Sequence, residues 1–138
     1  MAEVVPVPLL RLVIPNLPAA EYAANYARGQ HWSVKQKITQ RVHDEIIALV
    51  HEQGWKGAPL EQANVSVCFV LPDHRRRDPD GLISRMKPYF DGLVLANVLK
   101  DDDLQTIGWP VYRHTYVKGV SQTIIEVHGS NDPRRASP

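Results

Sequence analysis

Apolar residues in this chain fall into four short runs and two longer periodic stretches, and the two patterns call for different elements. Leu9 to Ile14 (LLRLVI) is brief, apolar and stopped by Pro15, which predicts a first strand. The segment that follows, PNLPAAEYAANYARGQHW, is broken by prolines and a glycine and reads as a loop in which AAEYAANYA forms at most a helical turn or two. From Ser33 the spacing changes. Val34, Ile38, Val42, Ile46, Leu49 and Val50 recur at helical intervals, with Ser33 as N-cap, Gln36 completing a capping box and Gly54 as the stop. Val65 to Leu71 (VSVCFVL) is rich in β-branched and aromatic residues and predicts a largely buried strand that ends at Pro72.

Beyond Asp80 the apolar residues Leu82, Met86, Tyr89 and Leu93 again mark a helical stripe. Asp80, Ser84, Lys87 and Asp91 fall on the opposite one. Pro88 interrupts it, so the spacing predicts either a kink or a second helix with Pro88 at its start, ending near Asn97. Val111 to Val117 and Ser121 to His128 read as two strands joined by a hairpin turn at Lys118 and Gly119. The sum is an α+β fold: a single domain with a mixed four-stranded sheet and two main helices packed on one face. Residues 9–129 make the domain, and residues 1–8 and 130–138 are expected to be flexible ends.

Composition alters this picture little. An apolar fraction of 43% and a charged fraction of 22% are ordinary for a globular chain, and no apolar run approaches the roughly 20 residues that span a bilayer. The N-terminus lacks a basic start followed by an apolar stretch, so no secretory signal is read and a cytoplasmic location is expected. Cys68 is the single cysteine, which excludes an internal disulfide, and its apolar neighbours predict a buried thiol. Nucleophile triads, a glycine-rich phosphate loop and zinc-ligand spacings are absent.

Charge matters through its distribution. The net charge is only +1, yet seven acids, all aspartate, lie between Asp73 and Asp103, and Arg75, Arg76 and Arg77 stand among them. Asp78 and Asp80 flank Pro79, which favours extended geometry before it, so both carboxylates can face one side and share one cation. Anionic oxygen ligands suit a hard ion, Mg²⁺ or Mn²⁺, better than zinc. Asp101, Asp102 and Asp103 read by themselves as a solvated loop. Brought beside the first pair, one of them would complete a cluster whose repulsion a metal or protons must relieve. The arginines are suited to bidentate phosphate contacts or to pairing with the aspartates. On the first helix Lys35 and Lys37 are a solvated surface or a set of phosphate contacts. Trp32, Tyr89 and Phe90 are core residues or base-stacking platforms.

The ordered set RRRDPDGL, then Lys87 and Asp91, then LKDDD resembles the signature of the RusA family of Holliday junction resolvases over about residues 70 to 107. The stretch holding Asn25, Arg28, His31 and Trp32 resembles the front loop of phage members more loosely, and Gly81 stands where the family commonly has asparagine. The resemblance implies an endonuclease acting as a homodimer on branched DNA, the four-way junction. It implies metal-binding acids at Asp78, Asp80 and Asp102, a catalytic lysine at Lys87 and an accessory acid at Asp91. Asp101 and Asp103 are further accessory candidates, and Arg28, Lys35, Lys37, Arg75, Arg76 and Arg77 are DNA-binding candidates. Two other classes share parts of this pattern: a metal-dependent phosphohydrolase acting on nucleotides, and a non-catalytic DNA-binding module whose acids only cap helices and pair with arginines.

Overall fold

In the computed structural model, which describes residues 7–20 and 32–130, the chain alternates strands and helices around one sheet. Strand β1 (Leu10–Ile14) alternates buried and exposed positions, with Leu10, Leu12 and Ile14 inward. Helix α1 (Trp32–Glu52) leads into β2 (Ala63–Leu71). Three helices follow, α2 (Pro79–Ile83), α3 (Lys87–Leu95) and α4 (Leu104–Ile107), then β3 (Val111–Tyr116) and β4 (Gln122–Gly129). Among the described residues, no helix is long and apolar enough to cross a membrane.

The sheet is mixed and four-stranded, with the order β1-β4-β2-β3. Strand β4 runs antiparallel to both β1 and β2, whereas β3 runs parallel to β2. The α+β class and the mixed four-stranded sheet therefore stand as the hydrophobic pattern predicts. The terminal hairpin does not. Strands β3 and β4 lie on opposite sides of β2, and the Lys118–Gly119 turn carries the chain past the end of that strand. There Val117 N–H donates to the Leu71 carbonyl at 3.0 Å and Gly119 N–H to that of Pro72 at 3.1 Å.

Polarity explains the exchange of places. Strand β4 buries Thr123, Ile125 and Val127 and so takes a central position, while β3, reading VYRHTY, keeps only Tyr112 partly covered and lies at the edge. A parallel β2–β3 pair needs a long crossover, which is the 72–110 segment that holds the aspartates.

The helical pattern holds, with two shifts in α1 and with the second of the two outcomes expected at Pro88. Helix α1 begins at Trp32, one residue before Ser33. Val34, expected on the apolar stripe, is exposed, while Val42, Ile46 and Val50 are buried. The segment from Asp80 forms two short helices separated at residues 84–86, with Pro88 in the first turn of α3, where its missing N–H costs nothing. Leu82, Met86, Tyr89 and Leu93 all reach the core. Tyr89 and Phe90 are thus packing residues and not stacking platforms. Gly54 ends α1 at φ +76, and α3 closes through Asn97 at φ 62. Cys68 is half-buried, short of the full burial expected of it. The expectations for residues 1–6, for the 21–31 loop with Arg28, and for the tail beyond Ser130 lie outside the described residues.

Helices α1 and α3 pack closely at Gly92, where an added Cβ would lie 2.8 Å from Ile46 Cβ. Replacing a helical glycine by alanine normally stabilises by about 1 kcal/mol. Here contact with a side-chain root that cannot swing aside reverses the sign. Gly92→Ala should lose about 1–3 kcal/mol, read as a lower urea midpoint with an unchanged slope; a raised midpoint would contradict this close approach.

Candidate catalytic and DNA-contact site

The segment after α3 is fixed before any of its acids acquires a role. Asn97 reverses the chain, Val98 N–H returns to the Leu93 carbonyl at 3.0 Å, and the Trp55 indole donates to the Asn97 carbonyl at 3.1 Å. Leu60 N–H then bonds the Val98 carbonyl and Lys100 N–H the Leu60 carbonyl, both at 2.9 Å, which pins the strand-like stretch leading into the aspartates.

The three adjacent acids divide their work. Asp103 is the N-cap of α4 and accepts from Thr106 N–H at 2.9 Å. Asp101 turns back to accept from the Asp102 backbone at 2.7 Å. Asp102 alone sends its carboxylate across to α3, where Lys87 Nζ lies 2.5 Å from its Oδ2 and 3.0 Å from Asp91 Oδ1. The Asp102 side chain is only 15% exposed, whereas that of Lys87 is 66% exposed.

Electrostatics follow from this geometry. The hydrogen bonds that Lys87 donates to Asp102, then to Asp91, raise its pKa above the ordinary value, so the ammonium stays charged. At Asp102 burial pushes upward, but the combined bonds from Lys87 and its neighbours outweigh it and hold the carboxyl below the usual range. The sequence places Lys87 and Asp91 on one stripe, and the structure joins them. It does not join them to Asp80, because the chain breaks between α2 and α3. Ser84 instead donates to the Gly81 carbonyl at 3.1 Å.

Asp78 and Asp80 stand at the N-terminus of α2, Asp78 as an extended N-cap residue whose side chain makes no capping bond. Both are exposed, and neither carboxylate has a hydrogen-bond partner among the described residues. Their chemistry fits a hard divalent cation, as two free anionic oxygen ligands in one short turn. A complete three-acid set is not assembled: among the described residues no three His, Cys, Asp or Glu side chains are grouped to hold a metal ion. Asp102 is engaged by Lys87 instead. Gly81 has open space where a side chain would project, so asparagine at this position would meet no obstacle.

The arginine run separates into three roles. Asp73 accepts from Arg75 Nε at 3.2 Å and Nη2 at 3.1 Å, and from Arg77 Nη2 at 3.0 Å. These bonds, with the Arg75 backbone N–H, hold the Asp73 carboxyl far below the usual range. Arg77 also donates to the carbonyls of Asp73 and Arg75, and with a side chain 17% exposed it braces this loop. Arg75 is 72% exposed with Nη1 unused, and Arg76 is exposed. The arginines therefore pair with an aspartate, but with Asp73, not with the candidate metal ligands. Lys35 and Lys37 sit on the opening turns of α1 and line neither of the clefts described next.

Two clefts meet at Ile83. One, of about 450 Å³, is lined by Ser84, Lys87, Asp102, Leu104 and Trp109. The other, of about 380 Å³, lies between α2 and β3. Trp109 is 85% exposed, held between Gly108 at φ 60 and Pro110. The sequence reading missed it, although a tryptophan between glycine and proline, outside any apolar run, was the available signal.

No known protein-family profile matches the chain. It is similar to an uncharacterized protein of Xylella fastidiosa, 26% identical over 102 residues, a match covering 72% of this chain. The same match spans 65% of that relative's length, slightly under two thirds.

Proposed function

We propose that this chain is a Mg²⁺-dependent endonuclease of the RusA type that nicks branched DNA, in the cytoplasm and as a homodimer. The observation that supports it most is the choice made among three adjacent aspartates. Asp103 and Asp101 are consumed by backbone bonds, while Asp102 is turned onto Lys87 at the wall of an open cleft. The family resemblance assigns chemistry to that same acid and that same lysine.

In this reading Asp78 and Asp80, joined by Asp102, which Lys87 now engages, would hold Mg²⁺, with Mn²⁺ as a substitute. When bound, the ion supplies an acidified water and neutralises phosphate oxygens. Lys87 remains protonated and offers its charge to the phosphoryl oxygens as negative charge builds on them. It is not a general base, because two carboxylates favour its charged form. Asp91 holds Lys87 in place from the next helical turn. Arg75 and Arg76 present guanidinium groups to flanking phosphates. A twofold dimer places one such site on each of two opposed strands.

One other reading has an observation in its favour. A non-catalytic DNA-binding module would use its acids as caps and arginine partners, as Asp103 and Asp73 are used. Magnesium titration separates the two. A cation that binds the folded state alone raises stability as its concentration passes the dissociation constant, by about 2.7 kcal/mol at a hundredfold excess over it. The nuclease reading predicts a melting temperature that climbs with Mg²⁺ and falls back on chelation, and loss of the climb in Asp78→Asn with Asp80→Asn. A flat response in the unsubstituted protein would favour the module.

A further inference from the structure

Strand β3 enters the sheet as a polar edge, yet the face it turns toward α2 is aromatic. Tyr112 stacks with Phe69, ring centroids 6.2 Å apart and planes 6° from parallel. Farther along, Tyr116 packs on His74 at 3.8 Å and meets His114 edge-on at 5.4 Å. These contacts tie the arginine loop to the edge strand. Between them opens the 380 Å³ cleft, within the roughly 300–1,000 Å³ typical of small-ligand pockets.

Its lining combines two chemistries. Phe69, Leu71 and Leu82 give an apolar floor, while Arg75, Arg77 and Arg113 line it without any carboxylate among the lining residues. Asp73 engages Arg75 through one edge of its guanidinium, which leaves Nη1 for a ligand. Burial raises the Tyr112 pKa, so its hydroxyl remains a donor at neutral pH. An apolar slot edged with guanidinium groups suits a flat, uncharged ring attached to an anion. A nucleotide unit has that form. A paired base does not fit, because its ring is stacked and its edge is occupied within the duplex.

We propose that the cleft between α2 and β3 is a base pocket, taking one unstacked base of a DNA strand with its phosphate on Arg75 and Arg113. The proposal rests on the DNA-directed reading above and extends it to the form of DNA recognised, the unpaired strand at a branch point. Ile83 lines both this cleft and the one holding Lys87, so a strand with its base here has a neighbouring phosphate directed toward Lys87 and Asp102.

The test is made in chelator, where no cutting occurs, so that it does not depend on catalysis. Arg113→Ala with Tyr116→Ala alters two exposed positions, and an unchanged melting curve checks the fold. Binding is followed by fluorescence anisotropy of a short labelled thymidine oligonucleotide, its abasic counterpart and a blunt duplex, with thymidine monophosphate as competitor. Loss of one stacked base weakens binding on the order of tenfold. The unsubstituted protein should bind the oligonucleotide about that much more tightly than the abasic strand, and the variant should bind both equally weakly. Duplex affinity should change far less, and the mononucleotide should compete poorly. The proposal is overturned by unchanged affinity of the variant for the oligonucleotide, by equal loss on duplex and single strand, or by a mononucleotide that competes as well as the strand. Failure of the cleavage reading alone would leave this binding pattern as it is.

Discussion

Asp102→Asn should reduce DNA cleavage by more than about a hundredfold at saturating Mg²⁺ while the protein stays folded. Asparagine keeps the shape and one oxygen of the side chain but removes the charge that both a cation and Lys87 require. The structural cost is small. The carboxamide oxygen can still accept from Lys87, whose own side chain is 66% exposed and keeps its charge in water. The same loss of activity is expected for Asp78→Asn and Asp80→Asn, whose carboxylates support no other contact among the described residues. Junction affinity should hold or rise in all three, because removing negative charge near a phosphate eases its approach. Asp101→Asn and Asp103→Asn serve as controls. Each keeps a side-chain oxygen able to accept its backbone bond, so cleavage should persist in both. Parallel rate and binding measurements on the five variants decide the assignment. Full activity in Asp102→Asn would remove that residue from the chemistry.

Lys87→Ala should lower turnover by about 10²–10³-fold and leave DNA affinity nearly unchanged, as expected for a charge that acts chiefly when the transition state forms. The pH profile adds a second readout. Two carboxylates raise the Lys87 pKa above 10.5, so its charge is present throughout the range below that value and is lost only as pH rises through the shifted one. Turnover should therefore show no rise attributable to deprotonation of Lys87 near neutrality, which a lysine general base would require. Lys87→Arg should restore part of the rate because it restores the charge. If the alanine variant loses affinity and turnover in equal measure, Lys87 is a phosphate contact only.

The parts of this fold that the sequence makes legible are those in which local pattern and final packing agree. Leu12, Ile46, Val67 and Leu93 occupy core positions that a period of 2 or 3.6 assigns directly. Pro88 marks the start of α3 and Asn97 its reversal through steric rules that act within a few residues. The hairpin expectation failed because strand order depends on competition between distant segments. Ile125 and Val127 outbid the polar β3 for the place beside β2, and no local turn signal reports that.

Site residues divide in the same way. Lys87 with Asp91 is legible from helical spacing. The choice of Asp102 over its neighbours depends on the local cap of α4 by Asp103 and on the bridge between Leu60 and Leu99, a contact between distant segments that no local pattern reports. Asp73 looked like one more acid in a cluster, yet it organises Arg75 and Arg77. Tyr112 and Tyr116 read as ordinary strand residues until the edge position of β3 leaves them facing a cleft.

Cleavage of matched substrates measures most directly which DNA the protein cuts. Four-way junction, flap and linear duplex of the same sequence would be incubated with the protein at one salt concentration, with Mg²⁺ and with chelator, and the nicks mapped on every strand. Expected are symmetric nicks on opposed strands of the junction, slow cutting of linear duplex, whose phosphates cannot reach paired sites in the required geometry, and no cutting in chelator. Equal rates on all three substrates would contradict the junction assignment while leaving the aspartate chemistry in place, and no cleavage of any of them with Mg²⁺ present would contradict the nuclease reading itself.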